Sequence, residues 1–202
     1  AVTLDSITAE SKTYDASASA NISSGVISGT VGSEALLISG SGAFSDKNAA
    51  IGKTVTVADV TALTKTNSTG DWNNYNLTTT GAKTTTANIN KKNVSLDSIT
   101  ADSKPYDASA VANISSGVIS GVVGSETLLI SGSGAFPDKN AASSMTVTVA
   151  DVTALTKTSS TGDWNNYNLI TTGAITTTAN INKKAVTLDS ITAESKTYDA
   201  SA

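Results

Sequence analysis

The 202 residues carry a formal net charge of −4 and include no cysteine, histidine or arginine. Disulfide staples, thiolate or imidazole metal centres and nucleophilic triads built on Cys or His are therefore excluded. The cations are all lysine and scattered, so the chain lacks the basic stripe that displaces counterions from phosphates, and no nucleic-acid partner is expected.

Tyr14-Asp15 recurs at Tyr106-Asp107 and at Tyr198-Asp199, 92 residues apart each time. Residues 1–92 and 93–184 differ at only 14 positions, and residues 185–202 repeat residues 1–18 without a change. A period of this size is that of a small folded domain rather than of a solenoid coil. Three units follow: a repeat over 1–92, a second over 93–184, and the first strands of a truncated third over 185–202. In the first copy, strand character is read over residues 2–8, 12–15, 19–22, 25–28, 35–39, 54–60, 75–80 and 84–90. Thr and Val suit a pleated, half-buried surface. Alternation places Val2 and Leu4, Leu36 and Ile38, Val55 and Val57, Tyr75 and Leu77, and Ala87 and Ile89 inward. Gly40-Ser41-Gly42 and Ser68-Thr69-Gly70-Asp71 read as turns between strands, and Ser45 to Ala50 as at most one helical turn. The expected fold is all-β, with tandem elongated β-sandwich modules in a rod-like array.

Substitutions between the copies locate edges and surfaces. Thr13 becomes Pro105 and Ser45 becomes Pro137, which places both positions at an edge, a bulge or a turn, because proline removes a ladder donor. Ile51-Gly52-Lys53 becomes Ser143-Ser144-Met145, the signature of an exposed loop. Thr78 and Lys83 become Ile170 and Ile175, which are expected to face solvent or the neighbouring module. The junction Lys91, Lys92, Asn93, Val94 lies in a stretch with neither Gly nor Pro and runs from the last strand of one module into the first of the next. That composition is unlike a flexible linker. A strand of eight residues spans about 27 Å, so each module is expected to advance a stiff rod by roughly 30 to 45 Å.

Candidate chemistry is sparse. The carboxylates Asp5, Glu10, Asp15, Asp46, Asp59 and Asp71 read as caps and turn formers before they read as an acid–base pair. Asp71 with Asn73 and Asn74 is the least implausible calcium ligand set, although no EF-hand spacing is present. Lys12, beside an Asn-rich strand, raises an isopeptide crosslink as an alternative staple. Trp72 and Trp164 follow Gly-Asp in a polar loop and read either as loop anchors or as stacking platforms for a sugar ring. The structural weight is expected on Tyr14 and Tyr106, Phe44 and Phe136, Trp72 and Trp164, and Tyr75 and Tyr167. No cofactor is expected, no run approaches the roughly 20 apolar residues of a membrane span, and no signal peptide is visible.

The succession Lys12-Thr13-Tyr14-Asp15, Gly25-Val26-Ile27-Ser28-Gly29, Gly42-Ala43-Phe44 with Asp46-Lys47-Asn48, Lys53-Thr54-Val55-Thr56-Val57, Asn74-Tyr75-Asn76-Leu77 and Thr85-Thr86-Ala87-Asn88-Ile89 resembles the YDG repeat. It resembles the tandem module of large secreted bacterial surface proteins, including filamentous-haemagglutinin-like adhesins. The name-giving glycine is replaced by Ala16, Ala108 and Ala200, which disfavours a positive-φ turn after the Asp. The resemblance implies a non-catalytic, extracellular stalk or filament segment in adhesion or biofilm matrix. Its partners would be neighbouring repeats, or identical chains in a filament. The alternative is a multivalent glycan- or surface-binding module.

Overall fold

The computed structural model describes residues 1–200. The first module contains β1 (Thr3–Ala9), β2 (Lys12–Thr13), β3 (Ser19–Ser28), β4 (Leu36–Phe44), β5 (Ala50–Val57), β6 (Thr64–Asn67) and β7 (Lys83–Asn90). The second repeats them as β8 (Lys92–Ala101), β9 (Lys104–Pro105), β10 (Val111–Ser120), β11 (Leu128–Ala135), β12 (Ala142–Val149) and β13 (Thr156–Ser159), adds β14 (Tyr167–Leu169), and ends with β15 (Ile175–Asn182). The fold is all-β, with single 3-10 turns at Val60–Ala62, Trp72–Asn74, Val152–Ala154 and Trp164–Asn166.

Each module is one mixed sheet folded over its own core. In the first, the strand order is β1-β3-β4-β5-β7-β2, with β6 added alongside β4. β3 pairs with β1 through residues 22–28 and with β4 through residues 19–22. That change of partner turns the sheet so that β1 comes to pack against β7. The two layers are stitched by Lys83 Nζ donating to Leu4 O at 2.8 Å and Leu4 N–H donating to Thr79 Oγ1 at 2.8 Å. Val2, Leu4, Ile22, Ile38, Val55 and Ile89 fill the space between the layers and are at most 2% exposed. The strands of residues 1–13 stand at the two ends of the path: β1 is one edge of the sheet, and β2, parallel to β7, is the other.

Several expectations change. Gly40-Ser41-Gly42 is not a turn but lies within β4, which runs past β6 on its first half and between β3 and β5 on its second. At Gly40, where φ is +155°, a Cβ would be strained and would lie 2.7 Å from Leu63 Cδ2, so that side chain would have to shift. Ser45 to Ala50 contains no helical turn; Asp46 Oδ1 instead accepts the Asn48 N–H at 2.7 Å. Ile51 is exposed as expected, but Lys53 is 8% exposed, in β5, with Nζ 2.6 Å from Asp46 Oδ1. Residues 75–80 form no strand in the first module, where Val2 and Leu77 make a single parallel bridge, whereas the second module pairs β14 with β8. The edge reading of Thr13 and Pro105 agrees with their places in β2 and β9.

Residues 185–202 were expected to form the first strands of a third repeat; residues 183–199 form no strand, and Ser201 and Ala202 lie outside the described residues. In the first module the identical residues pair with β3 and β7.

Alanine does not abolish the turn after the Tyr-Asp pair. Ala16, Ala108 and Ala200 all adopt positive φ, at 62°, 63° and 58°. A clamp holds the strained residue in place: Lys12 Nζ donates to Asp15 Oδ1 and to Ser17 O, both at 2.8 Å, and the Ser17 N–H donates to Asp15 Oδ1 at 2.9 Å. Burial raises the Asp15 pKa, but the Lys12 and Ser17 bonds outweigh it and leave the carboxyl below its ordinary value. The left-handed conformation costs alanine about 1–2 kcal/mol, of which glycine's greater unfolded-state freedom offsets about half. Ala16→Gly is therefore expected to raise stability by roughly 0.5–1 kcal/mol in urea unfolding, and a destabilised variant would contradict the strain.

Candidate functional site: the inter-module joint

Lys91 alone separates β7 from β8, so the modules are joined strand to strand. Lys92, Asn93 and Val94 pair in parallel with Tyr167, Asn168 and Leu169, and Asn168 Nδ2 donates to Asn93 Oδ1 at 3.1 Å. Lys91 is exposed, whereas Val94 is 1% exposed and joins Leu128 and Tyr167 in the apolar cluster of the first module. The first module's core thus extends into the second, whose remaining core residues form a cluster of their own. Burying a side chain such as Val94 contributes about 1.5–3 kcal/mol, as much as the polar bonds around it.

Tyr14 occupies the centre. Its position follows from the chain just before it, where β2 lies parallel to β7 and the Tyr14 N–H donates to Asn90 O at 2.8 Å. The ring is 2% exposed and meets Tyr167 edge to face, with centroids 5.4 Å apart at 77°. Tyr14 Oη donates to Glu126 Oε1 at 2.7 Å. Tyr167 Oη donates to the other carboxylate oxygen, Oε2, and accepts the Val123 N–H at 3.0 Å. Lys47 Nζ stands 3.7 Å from Glu126 Oε1. Beside this cluster Asn166, 1% exposed, accepts the Ala49 N–H at 2.8 Å and donates to Asn48 Oδ1 at 3.2 Å. Gly162 makes room for the glutamate: a Cβ there would lie 3.2 Å from Glu126 Cβ. Burial first, and then the bond to the Glu126 carboxylate, raise both phenol pKa values above the ordinary 10.0, that of Tyr167 to about 12.

Glu126, Asn166 and Lys47 escape a reading of the sequence because nothing in their types or spacing marks them. The molecule contains its own comparison. At the opposite end of the first module, Tyr75 Oη donates to Glu34 and accepts the Val31 N–H at 3.0 Å, so the same socket stands preformed, but Tyr75 is only half-buried and Asn74 is exposed. Of the three Tyr-Asp tyrosines, Tyr14 is buried, Tyr106 half-buried and Tyr198 90% exposed.

The remaining aromatic residues serve the individual modules. Phe44 and Phe136 are each 3% exposed, with Lys12 and Lys104 Nζ 5.7 and 5.8 Å from their ring centroids. Trp72 and Trp164 are half-buried; each indole N–H donates to a backbone oxygen, Leu37 O at 3.0 Å and Leu129 O at 3.1 Å, and Lys65 and Lys157 stand over the rings at 5.2 and 5.3 Å. The carboxylates are engaged locally. Asp59 and Asp71 cap the 3-10 turns, and Glu10 accepts Asn21 Nδ2 at 2.7 Å. Lys12 Nζ is held by Asp15 and Ser17 O rather than by an asparagine. Among the described residues no group of three or more Asp or Glu side chains is placed to hold a metal ion, and no helix is long and apolar enough to cross a membrane.

The family model of the YDG domain matches residues 1–86 and again residues 90–178. No curated protein and no solved structure matches the chain.

Two outcomes test the joint. Tyr14→Phe removes a hydrogen bond to a charged group and is expected to cost about 1.5–3 kcal/mol, while Tyr106→Phe, at the half-buried copy, should stay within about 0.5 kcal/mol. Equal losses at the two sites in urea unfolding would remove Glu126 from its central place. Because the folded phenol pKa values exceed the unfolded value near 10, the folded state holds more protons above that pH. The tyrosine contribution is therefore complete below pH 10 and lost as pH rises through about 12, and an alkaline titration should show Tyr167 ionising late.

Proposed function

Because the chain belongs to the YDG domain family and joins its two copies through a shared core, we propose that it is a structural spacer. In this reading it is a stalk or filament segment of a secreted bacterial surface protein, in an adhesin or a biofilm matrix, and its work is to hold something at a distance from the cell. The observation that carries the reading is the joint. Lys91 is the whole linker, and Tyr14 is buried between two modules rather than left at a surface. A spacer needs each unit to fix the direction of the next. Apolar contact between Tyr14 and Tyr167 supplies adhesion between modules, and the Glu126 cluster supplies direction, because hydrogen bonds to a carboxylate are geometrically selective in a way that apolar contact is not.

Small-angle scattering of the full chain tests this reading. A single fixed inter-module geometry is expected, with Tyr14→Ala/Glu126→Ala broadening the distance distribution as the joint becomes a hinge. A parent chain as flexible as that variant would overturn the spacer reading.

A further inference from the structure

Apart from the tyrosines, two polar side chains are buried among the described residues, Lys53 and Asn166, at 8% and 1% exposed. They belong to different modules, yet both close on one loop, residues 45–49 between β4 and β5. Lys53 Nζ stands 2.6 Å from Asp46 Oδ1, and the same oxygen accepts the Asn48 N–H at 2.7 Å. From across the joint, Asn166 accepts the Ala49 N–H at 2.8 Å and donates to Asn48 Oδ1 at 3.2 Å, and Glu126 Oε1 faces Lys47 Nζ at 3.7 Å. Asp46 to Ala49 are therefore held on one side by Lys53 and on the other by the following module.

A bulge aims Lys53 at the loop. β5 pairs Ala50 with Ile89 and Lys53 with Ala87, which leaves an extra residue in β5, and Gly52 takes φ 65° there while its N–H donates to Asn88 Oδ1 at 2.7 Å. Beyond the bulge Lys53 falls in step with the buried Val55 and Val57, so its stem runs along the core side of the strand. An ammonium withdrawn from water needs a counter-charge, and Asp46 supplies it. Packing does not demand the charge: the second copy repeats the loop as Asp138-Lys139-Asn140-Ala141 but carries Met145 in place of Lys53, packed against the second core.

We propose that Lys53 is a positioning residue for the joint: by fixing Asp46, it holds the loop from Asp46 to Ala49 in the shape that Asn166 and Glu126 of the following module receive. The ion pair orders the loop in advance, so docking does not have to freeze these residues at the moment the joint closes. Lys53 thereby sets how firmly the first module docks its successor, a determinant that the second copy replaces with Met145. The proposal rests on the spacer reading, since a loop ordered for docking has work to do only where the joint stays closed in solution.

Hydrogen exchange of the full chain, read amide by amide by NMR, tests the assignment. The Ala49 N–H reports on the joint because its acceptor, Asn166, lies in the other module, whereas the amides that pair β5 with β7 report on the first module alone. Lys53→Met, the substitution the second copy already accommodates, is expected to speed exchange at Ala49 about tenfold, the equivalent of one hydrogen bond, and to leave the amides between β5 and β7 unchanged. Asp46→Ala, which removes the carboxylate between Lys53 and the loop, should speed Ala49 likewise. Unchanged exchange at Ala49 in either variant would overturn the proposal, and so would an equal acceleration throughout β5 and β7, which a role confined to module stability would produce. Scattering of the parent chain separates this result from the spacer reading: a rigid parent in which Lys53→Met leaves Ala49 untouched overturns the role of Lys53 alone, and a flexible parent overturns both.

Discussion

Glu126 is a carboxylate whose side chain is only 13% exposed, and withdrawing such a charge from water costs several kcal/mol unless donors replace the solvent. The replacements come from both modules. Tyr167 belongs to the same module as Glu126, whereas Tyr14 and Lys47 come from the preceding one. The glutamate is therefore fully satisfied only when the modules are docked, and in only one relative orientation. A joint of apolar surface alone would hold two modules together while tolerating rotation. Here the Tyr14 ring packed against Tyr167 supplies apolar contact, and the shared carboxylate selects the geometry.

That division of labour explains why near-identical repeats adopt different local structure. Residues 75–80 and 167–172 have almost the same sequence, yet only the second forms a strand, Tyr167–Leu169 against Lys92–Val94, where the first module has the single Val2–Leu77 bridge. Asn74 and Asn166 are the same residue in the same 3-10 turn, exposed in one copy and buried in the other. The environment that buries Asn166 lies one module away, in Asn48 and Ala49.

The period, the all-β class, the inward residues of β4, β5 and β7, and the continuous junction were legible because each depends on local alternation or on repetition. β1 was harder. Leu4 and Ile7 both point inward although they are three residues apart, because a bulge between Leu4 and Ser6 shifts the register. The glycines of β4 were misread since glycine marks a turn and a close approach with the same letter, and only Leu63, far along the chain, distinguishes the two. At the joint, Tyr14, Tyr167 and Val94 could be picked out as aromatic residues and as a junction. Glu126 and Asn166 could not, as an acid and an amide in polar surroundings look like solvated surface until a partner from another module is placed against them.

The first thirteen residues of a module run its whole length, bridging to Leu77 near their start and pairing in parallel with the end of β7 at their finish. Tension carried along the chain enters at that start and leaves at the end of β7. The bonds between these lengthwise strands are consequently loaded in shear and share the force, rather than being peeled one after another from a hairpin end. Resistance to pulling then depends on the unfolding barrier and not on the equilibrium stability of a small core, so a module with few aromatic residues and no covalent staple is mechanically stronger along the chain axis than its composition suggests.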